Sequence, residues 1–304
     1  MSFRQWLLLL ATATSFASSA VMNKFLIAQL PPITLAAMRV LFAAPVAFAM
    51  LNLLERELPQ RRADWGTTVL AGFGAIIVPY TALAIGQQTI ASGMSAILYS
   101  TMPLFTLLIA HFILHDEPLG PRKLLGVALG LAGVTAVIGP SLLSGIGDHL
   151  VAEMITLCGP IAYAMAVVAM RRSHHIDAIA MTAGMFLIAT FVLLPIALLI
   201  EQPWRIRTGW DTVAWLFALA VIGSITPALL NYLLVQQVGA TRASIGTFLV
   251  PVIAVFLGAI FLGERLHASA LLGLLMIIAG SMAINGIGLN RLRNLTDTPA
   301  SRAA

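Results

Sequence analysis

Cysteine and charge are the two things this chain has least of. Cys158 is the only thiol in 304 residues, so an intrachain disulfide framework, a thiolate metal site and CxxC redox chemistry are all excluded. Asp, Glu, Lys and Arg together make up only 10 % of the residues, against about 25 % in soluble domains. With 60 % of the chain apolar, there is too little polar surface to cover a fold of this size in water. The apolar residues come in runs of about 20, the length an α-helix needs to cross roughly 30 Å of hydrocarbon. The sequence therefore reads as an all-α integral membrane protein.

Several catalytic classes are absent as well. There is no HExxH, no Walker loop and no GxSxG, and the acidic residues Asp116, Glu117, Asp148, Glu153, Asp211 and Glu264 fall at the ends of apolar runs or in loops. An intramembrane enzyme would need an activated nucleophile, a metal cluster or paired carboxylates at the reacting depth. A channel would favour a continuous polar lining or a charged ring. Neither pattern is present, so no enzyme activity, metal or cofactor is expected. His174 and His175 lie in a basic loop without a partner at metal-ligand spacing. His111 is the one titratable histidine expected within a span, near its end.

Ten spans follow from the runs, at 5–27, 33–54, 66–87, 91–114, 122–140, 150–170, 178–200, 211–236, 241–262 and 268–288. The polar tail 290–304 lies beyond them. Arg4 followed by WLLLLA and the small residues at 17–20 imitates a secretory leader. It is read here as a first span, because cleavage would break the repeat described next.

The net charge of +5 does not indicate a nucleic-acid partner, since the basic residues sit in the breaks between runs. Placing the N-terminus in the cytoplasm puts Arg4, Arg56, Arg61, Arg62, Arg122, Lys123, Arg171, Arg172, Arg242, Arg291, Arg293 and Arg302 inside. Only Arg205, Arg207 and Arg265 then lie outside, while Lys24 and Arg39 fall within spans. The positive-inside rule accordingly predicts both termini in the cytoplasm. All five tryptophans, from Trp6 to Trp215, lie near span ends, as interfacial indoles do.

The stretch QQTIASGMSAI from Gln87 is answered by QQVGATRASIG from Gln236. Pro79 pairs with Pro227, Ser95 with Ser244, Pro103 with Pro251 and Glu117 with Glu264. Gly126, Gly133 and Gly139 pair with Gly273, Gly280 and Gly286, and Pro45 pairs with Pro195. A repeat at half the chain length implies duplication. Five spans per half is an odd number, so the second half must enter the membrane from the opposite side. The expected architecture is thus ten transmembrane helices as two inverted five-helix repeats, residues 1–145 and 146–289, with a cytoplasmic tail at 290–304. Inverted repeats are a recurrent design of secondary transporters. One extra residue between Pro103 and Glu117, compared with Pro251 and Glu264, predicts a bulge in the fourth span that the ninth lacks.

FILHDEPLGPRKLLGVALGLAGVTAVIG and IFLGERLHASALLGLLMIIAGSMAING, each following a proline-containing span, resemble the two tandem domains of the drug/metabolite transporter superfamily, in its EamA-like branch. That resemblance implies a ten-helix carrier of the bacterial inner membrane with a central cavity between its halves. It further implies export of amino acids or similar small metabolites by alternating access. An efflux carrier for drugs, quaternary amines or a lipid-linked substrate is the alternative. It would need an acidic cation site within the membrane, and none is evident.

Within this frame Pro79, Pro103, Pro227 and Pro251 are candidate hinges, because each removes a helical donor at matched places in the two halves. The tyrosines Tyr80, Tyr99, Tyr163 and Tyr232 all fall inside spans, where each phenol needs a hydrogen-bonding partner or a wet cavity. All four are candidate substrate contacts, Tyr99 and Tyr163 foremost. Asn231 lies one turn after Pro227 and is a candidate either for capping the freed carbonyl or for touching substrate. Arg39 sits about 9 Å into the second span; it is read either as snorkelling outward or as attracting a substrate carboxylate near the outer mouth. Glycines in the fifth and tenth spans make faces suited to close helix packing, against neighbours or across a homodimer through those two spans.

Overall fold

The computed structural model describes residues 2–114, 120–143, 148–171, 175–238 and 245–285. Among these residues the chain is helical, with no strand. In order, the helices are α1 Phe3–Ile27, α2 Pro32–Leu53, α3 Arg62–Gly72, α4 Val78–Gln87, α5 Ser92–Tyr99, α6 Met102–Leu114, α7 Pro121–Leu143 and α8 Asp148–Arg171. They continue with α9 Ala178–Ile200, α10 Trp210–Ala220, α11 Thr226–Val238, α12 Ile245–Leu262 and α13 Ala268–Asn285. Eight stretches are long and apolar enough to cross a bilayer, and two shorter apolar helices, Phe248–Leu262 and Ala268–Ile284, follow them. Each falls on one of the ten apolar runs. The third begins earlier than the hydropathy suggested, at Arg62, because the four residues Arg62, Ala63, Asp64 and Trp65 can extend a helix beyond the hydrocarbon without cost to its backbone bonds.

Helix starts are fixed by side-chain oxygens that take up orphan backbone N–H groups. Ser2 and Gln5 form a capping box on α1, and Asp177 accepts from Ile179 and Ala180 N–H at the start of α9. Two starts are capped from far away in sequence. The Glu201 carboxylate accepts from Ile33 and Thr34 N–H, at 3.1 and 2.5 Å, after a prolyl start to α2 that offers no cap of its own. Glu264 accepts from Ser92 N–H at 2.7 Å, Ser92 Oγ–H at 2.7 Å and Gly93 N–H at 3.1 Å. Gly263, at φ +64°, ends α12 in the left-handed region that favours glycine and turns the chain so that Glu264 points back at α5.

The third and eighth spans share an unusual defect. Residues Phe73–Ile77 form a π turn between α3 and α4, and Val221–Ile225 form another between α10 and α11. Each ends two residues before a proline, Pro79 or Pro227. The fourth span, where a bulge was expected, is instead broken at Ser100–Thr101 between α5 and α6, while the ninth, α12, runs unbroken through Pro251. Ser100 and Thr101 hydroxyls donate back to Ile97 and Leu98 carbonyls, both at 2.6 Å, which satisfies the broken turn.

Packing pairs the two halves throughout. Helix α2 lies on α9 and α7 lies on α13; α1 lies on α11 and α12, and α8 lies on α4 and α6. The α2–α9 seam is lined with Ala36, Ala37, Ala43 and Ala47 facing Ala183, Ala189 and Ala197. The α7–α13 seam is closer still. A Cβ on Gly126 would stand 2.7 Å from the Gly280 carbonyl, and one on Gly133 would stand 2.8 Å from the Gly273 carbonyl. Such backbone contact is available only to glycine, and in hydrocarbon it supplies the dispersion that drives helix association. The glycine faces anticipated for the fifth and tenth spans are therefore occupied within one chain. A homodimer through those spans would have to use their outer sides, where Leu124, Leu125, Leu131, Leu271, Leu272 and Leu275 are exposed.

Candidate functional site

Arg39 does not snorkel. Only 2 % of it is exposed, and it points from α2 into the seam between the halves. Its Nε donates to Ser224 Oγ at 2.8 Å; its Nη2 donates to Ser19 Oγ at 2.8 Å and to the Gly223 carbonyl at 2.9 Å. The guanidinium carbon lies 3.7 Å from the centroid of the Tyr80 ring, a cation–π contact worth about 2 kcal/mol or more when desolvated. Nη1 has no hydrogen-bond partner. Holding a charge at such depth costs roughly 2.5–3.5 kcal/mol on insertion scales, and these contacts offset it.

The π turn explains why the acceptors are there. Thr226 N–H bonds to the Val221 carbonyl in the wider register, and Pro227 has no N–H to give. The carbonyls of Ile222 and Gly223 are thus left without helical donors. Ser15 Oγ fills the first at 2.5 Å and Arg39 fills the second. The third span carries the same defect, but position 189, which corresponds to Arg39 by the Pro45–Pro195 register, is a buried alanine. One backbone motif thus occurs twice, and an arginine engages only the second copy. The charge breaks the symmetry.

Two tyrosines, Tyr80 and Tyr99, stand near Arg39. Tyr99 donates to the Pro79 carbonyl at 2.5 Å, and Gly159 on α8 leaves the room it needs, since a Cβ there would overlap the phenol. Tyr163, also on α8, lies within electrostatic reach of Tyr80. Tyr80 and Tyr99 therefore stand near Arg39, and Tyr163 stands near Tyr80. Asn231 does not join them: its side chain is exposed on α11, and the carbonyl it was suited to cap is taken by Arg39. The side chain of Tyr232 lies outside the described residues. Pro79, Pro227 and Pro251 are buried, Pro103 is half-buried in the first turn of α6, and only Pro79 and Pro227 adjoin a π turn.

Sequence reasoning missed the serines. Ser15 and Ser19 are spaced i, i+4 on α1, which puts both on one helix face, and that spacing within an apolar run was the available signal. It also missed a fully buried Gln87, whose Oε1 accepts from Asn23 Nδ2 at 2.8 Å and whose Nε2 donates to the Ala20 carbonyl at 3.1 Å. Beside it, Lys24 Nζ donates to the carbonyls of Gln87 and Ile90, at 2.6 and 2.9 Å, closing the end of α4. A third omission is Glu153. It is 2 % exposed and lies inside α8, so the chain does carry a buried carboxylate that the span-end reading had set aside. No group of three or more His, Cys, Asp or Glu suited to a metal occurs among the described residues.

Glu264 is the most testable of the long-range caps. Glu264→Gln keeps one acceptor of the two, so the α5 start should lose about 1–2 kcal/mol of stabilisation. The expected result is a thermal midpoint several degrees below wild type, read by tryptophan fluorescence of the purified protein. An unchanged midpoint would show that this cap contributes little.

A bundle of apolar helices with paired broken spans and, among the described residues, one fully buried cation at the seam fits a multi-pass membrane protein of the transporter class. The chain belongs to the EamA-like transporter family, whose profile matches it twice, over residues 4–139 and 150–286. It is 26 % identical over 257 residues to the "Uncharacterized transporter YoaV" of Bacillus subtilis (strain 168), spanning 83 % of this chain and 86 % of that one. It is 25 % identical over 299 residues to a "Probable amino-acid metabolite efflux pump" of Salmonella typhimurium (strain LT2), spanning 95 % and 96 %. With the "Uncharacterized inner membrane transporter YedA" of Escherichia coli (strain K12) it shares 29 % over 255 residues, covering 82 % and 79 %. One solved crystal structure has the same fold, with a TM-score of 0.62 at 17 % identity over 90 % of this chain and 96 % of the other.

Proposed function

We propose that this membrane transporter is a secondary carrier of the bacterial inner membrane that moves small carboxylate-bearing metabolites, amino acids foremost, outward by alternating access. The buried Arg39 carries this reading. Its guanidinium bonds to serines and a carbonyl on both halves, leaves one nitrogen without a hydrogen bond and stacks on Tyr80. A substrate carboxylate would compete for that guanidinium with bidentate geometry. Binding there would loosen a contact between the halves, and this differential interaction is what a conformational shift requires.

Two inverted five-helix repeats, bounded near 145 and 289, make such a motion natural. Three observations support them: the double family match, the two π turns at corresponding positions, and packing pairs that interchange when the halves are swapped. The orientation has both termini in the cytoplasm. In that orientation Lys24, Glu201 and Glu264 all close the outer end. Pro79 and Pro227, each beside a π turn, serve as hinges, with Pro103 and Pro251 as their counterparts in spans four and nine. A homodimer through the outer faces of spans five and ten would leave this machinery untouched.

Counterflow in proteoliposomes tests the carrier reading, using amino acids, quaternary amines and sugars as probes. Saturable exchange is the expected outcome. Unsaturable leak would indicate a pore, and no movement of any solute would end the proposal. Sidedness is tested by single cysteines at 61 and 207 in a Cys158→Ser background, treated with an impermeant thiol reagent on intact cells. Label is expected at 207 and not at 61; equal labelling would overturn the inverted arrangement.

A further inference from the structure

Helix α5 is tied at both ends by groups that lie outside it. At its start the Glu264 carboxylate, from the other half, accepts from Ser92 N–H, Ser92 Oγ–H and Gly93 N–H. At its end the Tyr99 hydroxyl donates to the carbonyl of Pro79, the proline that follows the π turn of the third span. Only eight residues, Ser92–Tyr99, separate the two ties, about 12 Å of helix.

The helix is also cut loose from its own span. The chain breaks at Ser100–Thr101, and Pro103 lacks the N–H that would bond back to Tyr99 across the break. The Ser100 and Thr101 hydroxyls donate to the Ile97 and Leu98 carbonyls, so the backbone is satisfied there without a continuous helix. The ninth span has no such break. On either side of it the packing differs: α5 lies on α1, α8 and α12, whereas α6 lies on α8 and α13. The surface around α5 is smooth. Ala96 clusters with Ala17 and Ala254, and Gly93 lies against Val255, the kind of contact over which packed helices slide in shear motions.

We infer that α5 is a lever coupling the closed end of the bundle to the hinge at Pro79. When Glu264 lets go, the short helix shifts as one piece about Ser100–Thr101, and Tyr99 carries that shift to the turn at Pro79. The break confines the motion to α5 and leaves α6 in place. This deepens the carrier reading and takes from it only that the bundle opens at the end Glu264 and Lys24 close.

Hydrogen exchange of the purified full-length chain in nanodiscs tests the coupling without any transport. Glu264→Gln weakens the tie at the α5 start and is expected to speed exchange about tenfold in residues 92–99 and also in residues 80–84, while residues 104–114 keep the wild-type rate. In a Tyr99→Phe background the same substitution should no longer alter residues 80–84, because the link has been removed. Unaltered exchange at 80–84 in Glu264→Gln, or equal speeding at 104–114, would overturn the lever. A cross-link guards against a folding failure of that variant. A Cβ on Gly93 would stand 3.3 Å from both Cα and Cγ2 of Val255, close enough for Gly93→Cys and Val255→Cys to form a disulfide in a Cys158→Ser background. Oxidation is expected to slow counterflow at least tenfold and reduction to restore it; undiminished counterflow by the cross-linked form would overturn the lever. Coupled exchange in a protein that shows no counterflow would sink the carrier reading and leave this one standing.

Discussion

Arg39→Gln is expected to slow counterflow of carboxylate-bearing substrates by roughly 10- to 100-fold, the loss of a charge-assisted contact worth about 1.5–3 kcal/mol. Uncharged substrates should lose much less. The reasoning starts from the π turn. Val221–Ile225 and Pro227 leave two carbonyls without helical donors, and Arg39 takes one of them while keeping Nη1 unbonded. Glutamine can still donate to Ser224 or Gly223, so the seam keeps a hydrogen bond while the charge is removed. Arg39→Lys restores the charge but not the planar fork or its stacking on Tyr80, and should recover only part of the activity. The deciding measurement is the ratio of initial rates for leucine and leucinamide. Equal loss for both, accompanied by a lower thermal midpoint, would make Arg39 a structural tie between the halves and nothing more.

The largest structural effect is expected at the α7–α13 seam. A Cβ on Gly280 would stand 2.5 Å from the Gly126 carbonyl and 2.8 Å from Gly130 N, all of it backbone that cannot rotate away. Gly280→Val must therefore separate the two helices along their length. Overpacking commonly costs about 1–3 kcal/mol, and backbone opposing backbone places this substitution at the upper end. Little monodisperse protein should survive extraction in mild detergent. Gly66→Val is the control, because nothing lies within 4 Å of a Cβ there, and its profile should match wild type. A normal profile for Gly280→Val would mean that the close approach contributes nothing to the bundle.

Tyr99 gives a smaller and more diagnostic effect. Tyr99→Phe removes a hydrogen bond to the Pro79 carbonyl and should cost about 1 kcal/mol, lowering the thermal midpoint. If Tyr99 also touches substrate, the exchange rate should fall by more than this loss of stability explains.

The helices were legible because hydrocarbon leaves a chain few options. An apolar run of about 20 residues must satisfy its backbone internally, so counting the runs located eight span-length stretches and two shorter apolar helices; of the four prolines read as interruptions, only Pro79 and Pro227 adjoin a π turn, and the ninth helix runs unbroken through Pro251. The repeat was legible because Gly126, Gly133, Gly273 and Gly280 keep their spacing. The direction of side chains was not. A buried arginine and a snorkelling one look alike in sequence, since Arg39 is long enough to reach either way and its acceptors come from α1 and the turn after α10. Glu153 was set aside because it stands close to the start of its helix, although the fold around it buries it.

The sequence by itself determined a helical membrane protein, the places of its spans and the duplication, because hydrophobic run length and residue spacing are local quantities. Only the tertiary structure decided which polar atoms meet: Arg39 with the π turn of the eighth span, and Glu264 with Ser92. The physical reason is that a buried polar group must find its partner wherever the packing supplies one, and Ser224 lies 185 residues along the chain from Arg39 and Ser92 lies 172 from Glu264, each in the opposite half.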